Sequence, residues 1–266
     1  MSTRKPYPSD LTDAEWRILE PLVPAPAPNG RPADYDRREI VNAILYLLRS
    51  GCAWRLLPHD LPDWHLVYHY FARWRDDGTW ARVHDALRRK VRRRAQHTAA
   101  PTAAILDSQS VKVTDQGGVQ GYDAAKHLKG RKRHVLVDTL GLLLVVLVTA
   151  ANVQDRDGGQ RVVATAQARY PRLQHLWADR GYAGQFARWV RTVCRWSVEI
   201  VGAAIHRPYF QVQQRRWVVE RTFGWLNRYR RLSKDYERLT TSSEALIQLS
   251  MTHLMVRRLA TRQARN

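Results

Sequence analysis

The chain has 266 residues and a formal net charge of +20, from 44 Lys and Arg residues against 24 Asp and Glu residues. Its length allows a sizeable core in one large domain or two modest ones, and a hydrophobic fraction of 44% excludes a disordered basic tail. A folded chain this basic repels itself unless a polyanion neutralises it, so nucleic acid is the first partner to consider.

The sequence indicates no secretion, no membrane insertion and no structural zinc. Cys52 and Cys194 stand in no metal-ligand spacing, which favours a reducing cytosol. Residues 1–6 lack the apolar core of a signal peptide. The longest apolar run, residues 142–151, has about half the length that a membrane-spanning helix needs.

The first hundred residues have the pattern of several short helices. Thr12 and Glu15 have the spacing of a capping box at the start of the first one. Further helices are predicted over residues 36–50, 64–75 and 79–94. Short helices with short connections are typical of a helix-turn-helix-like unit, although a small bundle with an aromatic core fits equally well. The residues that the middle helix would present to DNA are His65, Tyr68 and Arg73.

The helix over 79–94 is basic at its end, where arginine or lysine occupies most positions from 88 to 94. Such a run is often a solvated face, but the charge of the whole chain favours a face that binds the DNA backbone. A polar, alanine-rich linker follows at 96–102. We therefore predict an all-α DNA-binding domain over residues 1–98 and a second domain over residues 103–260.

The second segment alternates strand and helix patterns, which indicates an α/β fold with a mixed sheet. Strands are predicted over residues 103–107, 133–138, 142–149, 173–179 and 197–201. Helices are predicted over 161–169 and 185–194, around Glu220, and over 242–258, the last opening with a capping box that ends at Glu244. Residues 152–159 are predicted to form a polar loop.

Three carboxylates in this segment could form a metal site. Asp107 and Asp179 each end an apolar, strand-like run, and the ends of neighbouring strands meet at one edge of a sheet. Glu220, on a helix packed against that sheet, could join them. Three buried acids repel one another unless cations lie between them. Oxygen ligands favour Mg²⁺ or Mn²⁺, and two such ions about 4 Å apart suit phosphodiester chemistry.

Simpler interpretations compete with this one. Glu220 stands one helical turn from Arg216 and could belong to an ordinary salt-bridged surface helix. Turn-forming or ion-pairing roles are the simpler interpretation of Asp138, Asp235 and Glu237. Asp155 remains a reserve candidate, because the loop after its strand could face the site.

Four ordered motifs resemble bacterial insertion-sequence DDE transposases of the insertion-sequence-five family. They are residues 107–110 (DSQS), 130–142 (GRKRHVLVDTLGL), 178–184 (ADRGYAG) and 217–232 (WVVERTFGWLNRYRRL). Residues 11–16 (LTDAEW) and the tryptophan-rich stretch that follows are also similar to that family, so the resemblance covers essentially the whole chain.

The resemblance implies an RNase H-like catalytic domain in which Asp107, Asp179 and Glu220 are the catalytic, metal-binding triad. It also implies binding of double-stranded DNA at terminal inverted repeats by a homodimer or larger synaptic complex, and a bacterial, cytoplasmic, nucleoid-associated protein. The related signature of tyrosine, arginine, glutamate and lysine falls here on Gln213, Arg216, Glu220 and Asn227, so only two of its four positions match.

Basic residues around the triad are candidate DNA ligands. They are Lys129, Arg131, Lys132 and Arg133 before the predicted hairpin, and Arg216, Arg221, Arg228, Arg230 and Arg231 along the Glu220 segment. Trp225 could stack on an unpaired base, but a place in the core or at a dimer contact is the simpler expectation.

The sequence therefore predicts a DNA transposase with two divalent metal ions. A transposase-derived DNA-binding protein that has lost catalysis is the alternative. A general RNase H-like nuclease is disfavoured, because such an enzyme does not need a basic N-terminal domain.

Overall fold

The computed structural model describes residues 4–25, 36–115, 117–202 and 216–261. The α-helices in these ranges are α1 Asp13–Leu19, α2 Arg37–Ser50, α3 Trp64–Asp76, α4 Thr79–Arg94, α5 Asp155–Arg169, α6 Gln185–Trp189, α7 Arg216–Leu226 and α8 Thr240–Thr261. The strands are β1 Ala103–Lys112, β2 Gly121–Asp123, β3 Leu128–Asp138, β4 Leu143–Ala150, β5 His175–Asp179 and β6 Ser197–Val201. No helix in this part of the chain is both long and apolar enough to cross a bilayer.

The predicted N-terminal helices are confirmed by their caps. The Thr12 hydroxyl accepts the backbone N–H of Glu15, and the Glu15 carboxylate accepts that of Thr12, which completes the capping box of α1. Asp36 caps α2 by accepting the N–H of Arg38, and Gly51 ends that helix in the left-handed conformation at φ 78°. α3 and α4 follow the predicted bounds to within one residue.

One mixed sheet forms the centre of the chain. β3 pairs antiparallel with β1 on one side and with β2 and then β4 on the other. β5 pairs parallel with β1, and β6 pairs parallel with β5. The predicted α/β architecture with a mixed sheet is thus present.

Helices cover both faces of the sheet. On one face, the N-terminal helices, α7 and α8 share a hydrophobic core that includes Ile44, Trp80, Val135, Val219 and Met255. On the other face, α5 and α6 enclose a second core. Because the first core joins the segments on both sides of residues 98–103, removal of residues 1–98 would expose it. The division into domains 1–98 and 103–260 stays a prediction.

The structure corrects two predicted boundaries of the second segment. α5 begins at Asp155, within the predicted polar loop, because Gly158 packs directly on the sheet. A Cβ at Gly158 would lie 2.1 Å from the ring of His134, so a glycine that suggested a loop instead permits close helix packing. β1 continues past Asp107 to Lys112, because its pairing with β3 extends to Gly130 after its pairing with β5 ends.

The capping box predicted for the last helix is also wrong. α8 begins at Thr240, and the carboxylate of Glu244 lies inside the helix rather than at its start. Glu244 Oε1 accepts the backbone N–H of Val148 at 2.8 Å, which ties α8 to β4. Sequence spacing alone could not show this tertiary partner.

The basic run of α4 divides between the core and the surface. Arg92 is buried, and its Nη1 lies 2.6 Å from Asp138 Oδ2. Asp138 also accepts the backbone N–H groups of Leu140 and Leu142 in the β3–β4 turn. Both roles predicted for Asp138, turn formation and ion pairing, are confirmed, and the pair fixes α4 against the sheet.

Arg92→Met is expected to lower the free energy of unfolding by about 3 kcal/mol, because it leaves the buried Asp138 carboxylate without its cation. Arg93 is exposed on the same helix, so Arg93→Met is the matched control and should change it by less than about 0.5 kcal/mol. Urea unfolding of the three proteins measures both values. Equal stability of the two variants would contradict the role given to the Arg92–Asp138 pair.

A second prediction concerns Glu244 and the pH dependence of the free energy of unfolding. Burial raises the pKa of Glu244 from an ordinary 4.5 to about 7, although the Val148 N–H opposes this. Between these values the folded state holds a proton that the unfolded state has lost, so this residue's contribution to stability falls as pH rises from 4.5 to 7.

Glu244→Gln should therefore match the wild type near pH 4 and exceed its free energy of unfolding by about 3 kcal/mol near pH 8. Urea unfolding at both pH values measures the difference. A constant offset between the two proteins would show that ionisation of Glu244 is not the cause.

Candidate active site

Asp107 and Asp179 lie side by side on neighbouring parallel strands. The parallel register pairs Leu106 with Ala178, so the residues that follow each of them are about 5 Å apart between backbones. Both aspartates line one cavity that α7 covers through Arg216 and Val219. The structure brings these two sequence-predicted acids together.

Backbone donors hold both carboxylates. The N–H of Ser108 donates to Asp107 Oδ1 at 2.7 Å, and the N–H of Gly181 donates to Asp179 Oδ1 at 2.9 Å. Burial raises the pKa of Asp107 to about 6, the Ser108 N–H opposes that shift, and the nearby Asp179 adds to it. The ionised form of Asp107 is therefore costly until a cation approaches.

Glu220 lies on the same helix as the cavity lining but faces outward. Its carboxylate Oε1 is 3.1 Å from Arg216 Nε, and its side chain is 56% exposed. Arg216 also lowers the pKa of Asp107, so this one guanidinium acts on both Glu220 and the aspartates. Among the residues that the structure describes, no three His, Cys, Asp or Glu side chains form a group able to hold a metal ion. A metal-binding role for Glu220 stays a prediction.

Asp155, the reserve candidate, borders the same site. Its Oδ1 accepts the Ser108 hydroxyl at 2.8 Å and lies 2.9 Å from Lys132 Nζ. A Cβ on Gly181 would lie 3.0 Å from Asp179 Oδ1 and 3.8 Å from Asp155 Oδ2, so both carboxylates reach this glycine. Burial would raise the pKa of Asp155, but the hydrogen bonds from Lys132 and Ser108 outweigh it and lower that pKa.

Tyr182 is a buried neighbour of the same three aspartates. The side chain is 1% exposed, and its pKa lies well above the ordinary value because of burial and then the charges of Asp155, Asp107 and Asp179. Sequence reasoning did not single out Tyr182 or Ser108, although both stand beside the predicted aspartates within the quoted motifs. Lys132, which was predicted to bind DNA, instead neutralises Asp155.

The donor chemistry fits a divalent cation. The charged side chains that line the cavity are the Asp107 and Asp179 carboxylates and the Arg216 guanidinium. Carboxylates are oxygen donors of the kind that Mg²⁺ and Mn²⁺ prefer. Asp107 and Asp179 would hold such an ion, which would relieve the unfavourable ionisation of Asp107.

Four of the candidate DNA ligands are buried and have internal partners. Arg131 bonds to Asp235 and to the backbone of 237–238, and Arg133 donates to the carbonyls of Leu232 and Lys234. Lys132 pairs with Asp155, and Arg231 pairs with Glu237 at 2.7 Å. The structure buries these four side chains instead of presenting them on a DNA surface. Arg131, Lys132 and Arg133 lie within β3, which begins at Leu128 and is central in the sheet, and Arg231 lies beside the Glu237 carboxylate.

The remaining candidate DNA ligands have accessible side chains. Exposed ones are His65, Tyr68, Arg73, Lys129, Arg228 and Arg230, and half-buried ones are Arg216 and Arg221. Their contact with DNA stays a prediction. Gln213, one of the signature positions, lies outside the described residues.

Two family models match the chain. Residues 98–255 match "Transposase DDE domain", and residues 11–84 match "Putative transposase of IS4/5 family". The first match covers more than half of the chain and contains the site described above.

Curated relatives agree with these matches. In Burkholderia cepacia, "Insertion element IS402 uncharacterized 16.2 kDa protein" is 29% identical over 113 residues, which are 40% of this chain and 76% of that protein. "Putative transposase for insertion sequence element IS402" from the same organism is 30% identical over 128 residues, 45% of this chain and 60% of that protein. "Uncharacterized protein y4sN" of Sinorhizobium fredii is 32% identical over 68 residues, 26% and 54% of the two chains.

The matched domain and the observed architecture agree with each other. The DDE domain is RNase H-like, and the structure has the mixed sheet and the N-terminal helical region expected from the sequence. On the match over residues 98–255, the chain belongs to the DDE transposases of insertion sequences.

Proposed function

We propose that the chain binds the terminal inverted repeats of an insertion sequence and catalyses phosphodiester hydrolysis and strand transfer with two divalent ions, Mg²⁺ or Mn²⁺. The observation that carries this proposal is that Asp107 and Asp179, which directly follow the paired residues Leu106 and Ala178, line one cavity that the Glu220 helix covers. DDE domains generally use divalent metals, which supports the assignment of these acids.

The side chains around the cavity have separable roles. Asp107, Asp179 and Glu220 would hold the ions, and bound ions would supply activation of a water or a 3′-hydroxyl and stabilisation of the leaving oxygen. Ser108 and Gly181 fix the aspartates through their backbone N–H groups. Arg216 neutralises Glu220 until the carboxylate turns inward.

Double-stranded DNA, both transposon end and target, is the proposed partner of a homodimer or larger synaptic complex. The net charge of +20 supports a polyanionic ligand. The exposed side chains of α3, with His65, Tyr68 and Arg73, support a role of residues 1–98 in end recognition. The proposed location is the bacterial cytoplasm in association with the nucleoid.

One observation favours the alternative of a DNA-binding protein that no longer cleaves. The Glu220 carboxylate pairs with Arg216 instead of facing the aspartates. Retention of all three acids, with two of them adjacent, supports catalysis. Cleavage assays distinguish the two functions.

The test is Mg²⁺-dependent nicking of a labelled duplex that carries the element's own end. Asp107→Asn and Glu220→Gln should each lower the rate by a factor on the order of 10³ or more, because each removes a charge that holds the ions. End binding in both variants should stay within about twofold of the wild type, because no phosphate contact is removed.

Asp157→Asn is the matched control, because Asp157 is exposed on the same helix as Asp155. This variant should nick the duplex at the wild-type rate. Nicking by Asp107→Asn at that rate would contradict the proposed site. Loss of binding in Glu220→Gln would make Glu220 structural. End binding without nicking by the wild type would establish the alternative function.

A further inference from the structure

A large groove lies on the other side of helix α7 from the Asp107–Asp179 cavity. It has a volume of about 790 Å³ and lies where α4, α7 and α8 meet. Arg216 and Val219 line the aspartate cavity, whereas Arg221 and Trp225 line the groove. Residues 216 and 221 point about 140° apart around a helix, so α7 separates the two sites.

The groove is strongly and unevenly charged. Its arginines are Arg94, Arg221, Arg228, Arg257 and Arg258, and no aspartate or glutamate lines it. Arg257 faces Glu15, with 3.8 Å between Nε and Oε1. In the part of the chain that the structure describes, the other four arginines form no ion pair. The groove therefore holds positive charge that the protein itself leaves uncompensated.

Two of these arginines stack on the rings of tryptophans of α7. The Arg221 guanidinium lies 4.2 Å from the ring centroid of Trp217 and 4.8 Å from that of Trp225, and Arg258 lies 4.3 Å from that of Trp225. Trp225 thus contacts arginines on its ring and packs against the core, which disfavours the base-stacking role considered for it. Stacking leaves guanidinium edges available for hydrogen bonds.

Unsatisfied donors and repulsion point to an anionic ligand. Arg221 Nη2 donates to the carbonyl of Leu140 at 3.0 Å, but its buried Nε has no hydrogen-bond partner among the described residues. Burial lowers the pKa of Arg258, and the charge of Arg221 lowers it further, while Asp138 opposes both. An anion in the groove would supply the missing acceptor and the missing charge.

We propose that this arginine groove binds the sugar–phosphate backbone of duplex DNA that crosses α7 to reach the Asp107–Asp179 cavity. Guanidinium groups match phosphate oxygens with two parallel hydrogen bonds, which favours nucleic acid as the occupant. The face of α7 between the two sites exposes Glu220 and Gly224, and a Cβ at Gly224 would meet nothing within 4 Å. This proposal rests on the proposed function for the identity of the ligand.

The test measures DNA binding by the full chain without divalent metal. Arg228 and Arg257 are exposed, so the double variant Arg228→Gln/Arg257→Gln should fold normally, as its thermal unfolding midpoint will show. The probe is a fluorescein-labelled duplex of the element's end, followed by anisotropy in EDTA between about 50 and 200 mM salt. The slope of log affinity against log salt should fall by about two, and the affinity near 0.1 M salt roughly tenfold or more.

Two further variants make the test specific. Arg172→Gln/Arg188→Gln removes the same charge from exposed positions on the face of the sheet that carries the second core, and should change the affinity by less than about twofold. Arg228→Lys/Arg257→Lys retains both charges and should restore most of the salt slope.

Each remaining outcome decides against the groove. Equal losses of DNA affinity in the Arg228→Gln/Arg257→Gln and Arg172→Gln/Arg188→Gln variants would show that only the net charge of the protein matters. Wild-type DNA affinity in Arg228→Gln/Arg257→Gln would contradict DNA binding by the groove and leave the proposed transposase function intact. Failure of the wild type to bind the duplex at all would overturn the proposed function together with the groove.

Discussion

The arrangement of the site depends on the parallel pairing of β1 with β5, which places two aspartates next to each other. The negative charges of two neighbouring aspartates repel each other. Burial of Asp107 adds a desolvation cost, and both effects raise its pKa. The fold offsets that cost with fixed donors, the N–H groups of Ser108 and Gly181, and with the charge of Arg216. A site held in this way is preorganised for a cation.

The basic residues of the chain serve two different purposes. Some are internal ties: Arg92 joins α4 to Asp138 in the hairpin turn, and Arg131 joins β3 to Asp235 before α8. These pairs connect segments that are far apart in sequence, and both partners are almost completely buried. Others, such as Arg221 on α7 and Arg258 on α8, form no ion pair among the described residues and face an open groove. A net charge computed from composition cannot separate the two groups.

Separating them matters for function. The ties to Asp138 and Asp235 hold the N-terminal helices and the C-terminal helix against the same sheet. The unpaired arginines then lie at a fixed distance from the aspartates, across the width of α7. A rigid relation between the proposed phosphate-binding groove and the proposed metal site would position a scissile phosphate.

Sequence patterns were most informative where the decisive interactions are local. The capping box at Thr12 and the helices over residues 36–50 and 79–94 depend on residues within one or two turns, and those elements were predicted closely. The convergence of Asp107 and Asp179 also followed, because parallel strand ends share an edge.

The failures have tertiary causes. Glycine at 158 signals a loop in isolation but is required where α5 approaches the ring of His134. The basic run of β3 suggests a surface, yet Arg133 is 1% exposed, and the carbonyls of Leu232 and Lys234 accept its hydrogen bonds. The outward pairing of Glu220 with Arg216 depends on the orientation of α7, which helical spacing allows but does not determine.

The most direct measurement of the central claim is Mn²⁺ binding, followed by the loss of the free-ion electron paramagnetic resonance signal as protein is added. The wild type should bind Mn²⁺ saturably, and Asp179→Asn should weaken that binding by more than about tenfold, because one of two adjacent carboxylate ligands is lost. Thermal unfolding of both proteins would show that the variant is folded. Equal binding by wild type and Asp179→Asn would contradict the assignment of the Asp107–Asp179 cavity as the metal centre.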